Sequence, residues 1–370
     1  SGLQDLDIFL ENQDGWIFGH LSYELKEPLH GIPSRHRERV GFPSFFFFVP
    51  RVVCTFRENE LTIFADDPDS VYAAIQSRNI PDLTLPAAPM LQPRLTKDEY
   101  LEKINRLRQH IHRGDCYEIN FCQEFYAEDA SIDPVSTYLQ LTGVSPNPFS
   151  ACYRVHDSWL MCASPERFLF REGKRILSQP IKGTMQRDVA DPRADEGLRR
   201  KLSESEKERA ENVMIVDLVR NDLSRVCTDA SVQVDELFGI YTFPQVHQMI
   251  STISGSLRDD ARFSDVLRAT FPMGSMTGAP KHRVMQLIDT YETAARGIFS
   301  GSVGYFMPGR DFDFNVVIRS MMYNSATRYL SYQVGSGITF YSNAEAEWEE
   351  CMLKAAAIKK VLAGPALPKM

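Results

Sequence analysis

The sequence predicts an α+β fold, and three observations carry that prediction. Segments that read as strands outnumber those that read as helices. The strands come in consecutive runs joined by short turns, the pattern of antiparallel sheets rather than of alternating β-α units. The helices between them are marked by capping signals and by apolar residues at helical spacing.

In chain order, residues 1–65 read as short strands: Gly15 to Tyr23, Ser44 to Phe56, and Leu61 to Ala65. The Pro-rich stretch from Pro81 to Pro93 reads as a linker over the surface. A helix begins at Thr96, where Thr96 and Glu99 form a capping box. Tyr100, Ile104, Leu107 and Ile111 give its apolar stripe, and Gly114 stops it. Strands are predicted at 117–126, 149–155, 158–163, 167–172 and 174–180. A charged helix is predicted over 203–222, with Ser203 and Glu206 as its capping box. Strands near 231–236 and 245–256 follow, then helices over 261–270 and 280–294, the latter with Pro280 at its first position. Strands near 298–307, 312–322 and 328–335 lead to a last helix, 343–362, capped by Ser342 and Glu345. There is no internal repeat.

The 370 residues are 43% hydrophobic and 24% charged, an ordinary soluble composition. That length suits two or three domains, or one large intertwined fold. The net charge of -8, without a long Lys/Arg run, speaks against a nucleic-acid partner. Seven cysteines, at 54, 116, 122, 152, 162, 227 and 351, include no C-x-x-C pair. The odd, scattered set argues against a disulfide framework or zinc ribbon and suits a reducing cytoplasm. The most apolar run, Phe45 to Pro50, is far too short to span a bilayer, and no signal peptide is visible. The chain starts Ser1-Gly2 without Met, and a missing N-terminal segment is expected.

Several groups could carry chemistry. Glu347, Glu350 and Lys354 share one face of the last helix; Glu204, Glu208 and Glu211 share one face of the helix over 203–222. Either helix alone reads as a solvated charged face. Two such faces opposed would make an all-oxygen Mg²⁺ site. The turn Gly274 to Lys281 runs into a helix N-terminus, and Val334-Gly335-Ser336-Gly337 is a close-approach turn. Either could present amides to an anion, or be only a turn. Arg319 interrupts an apolar strand and needs an anionic partner, from the protein or from a ligand. Lys182, at a strand end before Gly183, is either an exposed lysine or a nucleophile whose pKa is lowered by burial or a nearby cation. Glu166 opens the neighbouring strand as a candidate general acid/base. His247, in the run Phe243 to Ile250, is either a satisfied core residue or a catalyst.

As a set these motifs resemble the chorismate-utilising enzymes. The likeness runs from about Thr96 to Lys354 through SPERF, PIKGT, AENVMIVDLVRNDL, VHQMISTISG, FPMGSMTGAPK, GSVGYF, VVIRS, VGSGI and AEWEECMLKA, in that order. WIFGHLSYELKE is similar to part of the family's first domain, whose opening strands are expected to be missing here. The resemblance implies a large two-sheet β-sandwich flanked by helices, with the site between the sheets. It implies a division into residues 1–92, the N-terminal portion of the sandwich, and 93–365, the chorismate-binding catalytic part. It implies that Glu208, Glu211, Glu347 and Glu350 surround Mg²⁺, Glu211 and Glu350 most directly, and that the metal holds the ring carboxylate of chorismate. Tyr305 and Arg319, with the backbone of Gly335 and Gly337, would hold the second carboxylate. Thr277 and Lys354 would face substrate, and His247 would lie near the ring substituents.

Lysine in PIKGT resembles the branch that aminates chorismate at C4, to 4-amino-4-deoxychorismate on the route to p-aminobenzoate. There Lys182 would attack C2 as the 4-hydroxyl leaves, with Glu166 handling its proton, and ammonia would then enter at C4. The branch that makes anthranilate usually has Ala at this position and is the alternative; a silent chorismate- or tryptophan-binding module is the non-enzymatic one. Glu118 aligns with the lysine that activates water in the isochorismate and salicylate branch, whereas the aminating branch more often has Gln. The chain carries no recognisable Cys-His-Glu glutaminase unit, so ammonia is expected from a separate glutamine amidotransferase subunit.

Overall fold

The computed structural model describes residues 2–78 and 89–363. Two antiparallel sheets of nine and seven strands dominate it. In the larger, Ile181–Gln186 lies at one edge beside Val246–Ser256, followed by Arg175–Gln179, Arg167–Glu172, Phe312–Asn315, Ser302–Phe306, Ile17–Leu21 and Phe45–Phe48. Gln233–Thr242 also pairs with Val246–Ser256. In the smaller, the order is Gly278–Ala279, Glu118–Ala127, Tyr329–Ile338, Ser320–Asn324, Ser158–Ser164 and Phe149–Val155. The expected α+β class is what the structure has.

Alternation along the strands divides the interior into two layers. On Ser158–Ser164, Leu160 and Cys162 enter the core shared with the larger sheet, where Phe168, Phe312 and Phe314 meet them. Met161 and Ala163 point the other way, into a second core with Tyr100, Ile104 and Leu107 of the helix Lys97–His112. Period-two side chains on a sheet with both faces covered require this split. Each fully buried Leu or Phe contributes roughly 2 kcal/mol of apolar transfer energy.

Several elements differ from expectation for local reasons. The helix Leu3–Glu11 lies in a stretch not read as helix, although Leu3, Leu6 and Leu10 bury one face of it. Helices Pro68–Ser77 and Pro134–Val144, each with Pro in its first turn and an Asp cap, also lie outside the expected elements. The charged helix begins later than expected, as Glu206–Ser224, and a separate helix, Pro192–Ser203, precedes it. Its cap is Ser205, which accepts from the Glu208 N–H at 3.4 Å, not Ser203. The last helix, Ala344–Ala363, is capped by Asn343, which accepts from the Ala346 N–H. Ser342 instead accepts from the Thr339 N–H. The strand expected over 312–322 is broken between Asn315 and Ser320, where the Val316 and Val317 N–H groups donate to the Glu166 and Gly301 carbonyls and Arg319 takes φ +51°. Pro280 is the N-cap of Lys281–Tyr291 rather than its first residue. The predicted linker falls largely on residues 79–88, outside the described residues; Gln92–Pro93 pairs with Tyr126 and Phe125.

Candidate active site

Two adjacent strands of the smaller sheet form the floor of the site. Glu118–Ala127 pairs with Tyr329–Ile338, which sets Gly337 opposite Asn120 and Gly335 opposite Cys122. Both glycines are needed for space rather than for backbone freedom. A Cβ at Gly335 would lie 2.5 Å from Asn120 Oδ1, and one at Gly337 would lie 2.8 Å from Glu118 Oε1. The edge strand Ile181–Gln186 of the larger sheet brings Lys182 to this floor. Its Nζ donates to Glu118 Oε1 at 2.5 Å. Side-chain exposure is 12% for Lys182 and 2% for Glu118, so Lys182 is no exposed strand-end lysine. Glu118 Oε2 is buried without a hydrogen-bond partner.

The electrostatics of Lys182 correct the expectation of a lowered pKa. Burial alone would push the amine down. Glu118, then Glu211 and Glu166, outweigh burial and hold it above its ordinary value. Glu166 shows the opposite balance. Its burial pushes the carboxyl up to about 7, against the pull of the Ser275 hydroxyl, Lys182 and Arg319.

The stretch Gly274 to Lys281 is stitched to the strand that carries Glu118. Gly278–Ala279 pairs with Ile119 and Glu118. The Asn120 N–H donates to the Thr277 carbonyl at 2.8 Å. Thr277 is fully buried, and its hydroxyl donates to the Met273 carbonyl at 3.0 Å. Lys281 turns away to Asp222 and the Thr270 carbonyl. Arg319, in its left-handed kink, is largely buried, and burial lowers its pKa against the fields of Tyr332 and Glu166. Among the described residues its guanidinium has no hydrogen-bond or ion-pair partner. A buried guanidinium in that state suits an anionic ligand.

Other expected members stand differently. Tyr305 packs against Trp16 and Phe18, with ring centroids 5.8 and 5.7 Å away, and its charged neighbours are Asp313, Arg167 and Arg57. The tyrosine whose field reaches Arg319 is Tyr332, one strand across. His247 faces the helix Pro192–Ser203: Nε2 meets Asp195 at 3.0 Å and Nδ1 meets Thr242 at 3.0 Å. That is the satisfied core histidine. Gln248 points to the opposite face by strand alternation, fully buried, with neither amide atom partnered. The sequence signal for Gln248 and Tyr332 was only their place in strand-like runs.

Lys354 Nζ donates to the Gly335 carbonyl at 3.0 Å and meets Glu350 Oε1 at 2.6 Å. Glu208 and Glu211 lie on the helix Glu206–Ser224; a Cβ at Gly183 would come 3.1 Å from Glu208 Oε2. Burial pushes Glu211 up to about 7, with Lys182 pulling it down and Glu118 and Glu208 raising it further. Crowded carboxylates of this kind favour a hard cation, and the donor set fits Mg²⁺. Among the described residues, however, no three His, Cys, Asp or Glu side chains converge as metal ligands. The two glutamate pairs are therefore not gathered into one cluster. The small cleft lined by Glu166 and Ser275 holds about 20 Å³, whereas a cleft of about 210 Å³ lies elsewhere, among Arg39, Arg94 and Gln333. Chemistry rather than volume marks the site.

Comparison with known proteins defines the class. The chain belongs to the chorismate binding enzyme family, which it matches over residues 3–360. Aminodeoxychorismate synthase component 1 of Salmonella typhimurium is 41% identical over 340 residues, spanning 91% of this chain and 74% of that protein. Anthranilate synthase component I of Streptococcus pneumoniae superposes with a TM-score of 0.82 at 26% identity, covering 93% of this chain and 80% of that one. The menaquinone-specific isochorismate synthase of Escherichia coli shares the fold, with a TM-score of 0.78 at 19% identity over 98% of this chain and 83% of its own. No helix among the described residues is long and apolar enough to cross a membrane.

Proposed function

We propose that this chain aminates chorismate at C4, yielding 4-amino-4-deoxychorismate for p-aminobenzoate and folate synthesis. The observation that carries the reading is the buried Lys182 amine, set among Glu118, Glu166 and Glu211. The 41% identity to an aminodeoxychorismate synthase component 1 supports it.

In this reading Arg319 binds one carboxylate of the substrate, and the Gly335–Gly337 backbone lets the ring approach the floor. Lys182 attacks C2. Glu166, whose carboxyl burial raises to about 7, gives its proton to the departing 4-hydroxyl from its protonated form. Lysine at C2 blocks that carbon, so ammonia enters at C4 and expels the lysine. Thr277 and Lys354 frame the substrate. Glu208, Glu211, Glu347 and Glu350 are the residues that would hold Mg²⁺, which when bound would supply positive charge for the ring carboxylate. His247 acts at most through Asp195, and Tyr305 through packing. Ammonia comes from a glutamine amidotransferase subunit, consistent with the words "component 1" in the relative's name. Seven unpaired cysteines suit a cytoplasmic setting.

Product identification tests the reading. With chorismate, Mg²⁺ and a high ammonium concentration at mildly alkaline pH, the expected product is 4-amino-4-deoxychorismate. An added aminodeoxychorismate lyase should then release p-aminobenzoate, and an added glutaminase subunit should let glutamine replace ammonium. Anthranilate formed without lyase would select the alternative, C2 amination. Isochorismate or salicylate would overturn both.

A further inference from the structure

Lys182 must be a free amine before it can attack carbon, yet its surroundings favour the ammonium. Three carboxyl groups face it from three elements: Glu118 from the floor strand, Glu211 from the helix Glu206–Ser224, and Glu166 from the start of Arg167–Glu172. Glu208 bears on Glu211, and Arg319 on Glu166. Of the three carboxylates only Glu118 is in hydrogen-bond contact with Nζ, at 2.5 Å.

Glu118 is under-bonded for a buried carboxylate. Oε1 takes the single Lys182 bond, and Oε2 has no partner. A buried carboxylate ordinarily takes several donors, whereas Glu118 keeps one oxygen unpartnered in a dry site with the Lys182 amine as its single donor. Gly337 lets the pair close, because a Cβ there would lie 2.8 Å from Glu118 Oε1 and 3.4 Å from Lys182 Nζ.

We propose that Glu118 is the proton acceptor that makes Lys182 a nucleophile. The inference rests on the lysine-attack reading above. When substrate covers the pair and displaces water, a neutral acid and amine cost less than an unsolvated ion pair, so the proton passes from Nζ to the carboxylate. The steps balance. Lys182-NH₃⁺ and Glu118-COO⁻ become Lys182-NH₂ and Glu118-COOH. The amine forms the C2–N bond, the two conjugated ring double bonds shift by one position, and the C4–O bond breaks. The hydroxyl leaves as water with the Glu166 proton, and C2 carries a secondary ammonium. Ammonia then forms the C4–N bond, the double bonds shift back, and the C2–N bond breaks to release Lys182-NH₂. The C4 amino group keeps the three protons that ammonia brought. Glu118 returns its proton to Lys182, and Glu166 is reprotonated from solvent.

The test is the rate of adduct formation on Lys182, followed by intact-protein and peptide mass spectrometry with chorismate and Mg²⁺ but no ammonia. It is run from pH 6 to pH 9 on the wild type, Glu118→Gln and Glu118→Asp. In Glu118→Gln the proton must go to solvent, so the ratio of its rate to the wild-type rate should rise with pH, about tenfold per unit below the amine's own pKa. Taking the ratio cancels the titration of Glu166. Glu118→Asp, which keeps the carboxylate, should restore a flat ratio at a reduced rate. A flat ratio for Glu118→Gln would overturn the inference while leaving the lysine reading intact. No adduct on wild-type Lys182 at any pH would overturn both.

Discussion

Lys182 and Glu166 form a coupled acid–base pair with separable consequences. Lys182→Met removes the amine but keeps an unbranched side chain. It should abolish the covalent adduct while Mg²⁺-dependent chorismate binding persists, measured by peptide mass spectrometry and by titration calorimetry. An adduct on another residue would assign the chemistry elsewhere. Glu166 is held near 7 by burial, and it must be protonated to protonate the leaving hydroxyl. The adduct-forming rate in the wild type should therefore fall as pH rises through about 7, the limb set by this carboxyl. With ammonia as co-substrate, the need for its free lone pair imposes the opposite limb, so steady-state amination should be bell-shaped in pH. Glu166→Gln should lose the limb near 7 along with most of the rate; an unchanged limb would assign it to another group.

Two helices carry the glutamates proposed for the metal, and what they pack against differs. Glu206–Ser224 lies over the strand bearing Lys182, where Glu211 is partly buried beside Glu208. Ala344–Ala363 is tied down by Lys354, which reaches the Gly335 carbonyl and holds Glu350. Glu211→Gln or Glu350→Gln removes one hard anionic ligand. Each should weaken Mg²⁺-dependent chorismate binding by at least tenfold, read as the shift in chorismate affinity across a Mg²⁺ titration. Full activity of both variants, or of the wild type in excess chelator, would remove the metal from the mechanism.

Burial of carboxyls also sets how the whole molecule responds to pH. Glu24 and Glu166 are both pushed from 4.5 up to about 7, in each case chiefly by burial. Between those values the folded protein binds more protons at these groups than the unfolded chain does. Their contribution is fully present below about 4.5 and is lost as pH rises toward 7, by up to about 3 kcal/mol for a fully buried carboxyl. Glu24 accepts from the Gly297 N–H at 3.2 Å, and its other oxygen is buried without a partner. Glu24→Gln removes that titration. Its denaturation midpoint should therefore gain on the wild type as pH is raised from 5 to 7.5; a constant difference would show that Glu24 titrates normally in the folded protein.

The α+β class, the capping box at Thr96 and the order of the family's motifs were all legible in the sequence. Strand alternation, capping and glycine turns depend on neighbours a few residues apart, so the chain declares them locally. The contact that matters most to the proposed chemistry is not local. Lys182 and Glu118 are 64 residues apart and meet only because the edge of one sheet closes on the floor of the other. Glutamate in this position could be read in advance, but not that it would hold the lysine as an ammonium. Register decided the rest. Adjacent residues on a strand face opposite ways, so His247 turns to Asp195 and Gln248 to the other face. Arg319 sits in a left-handed kink where, among the described residues, its guanidinium has no hydrogen-bond or ion-pair partner, and Tyr332 rather than Tyr305 lies within its field. Residue type is written in the chain, whereas facing, burial and the sign of a pKa shift are properties of the packed sheets. Only tertiary structure sets which charges share a dry space.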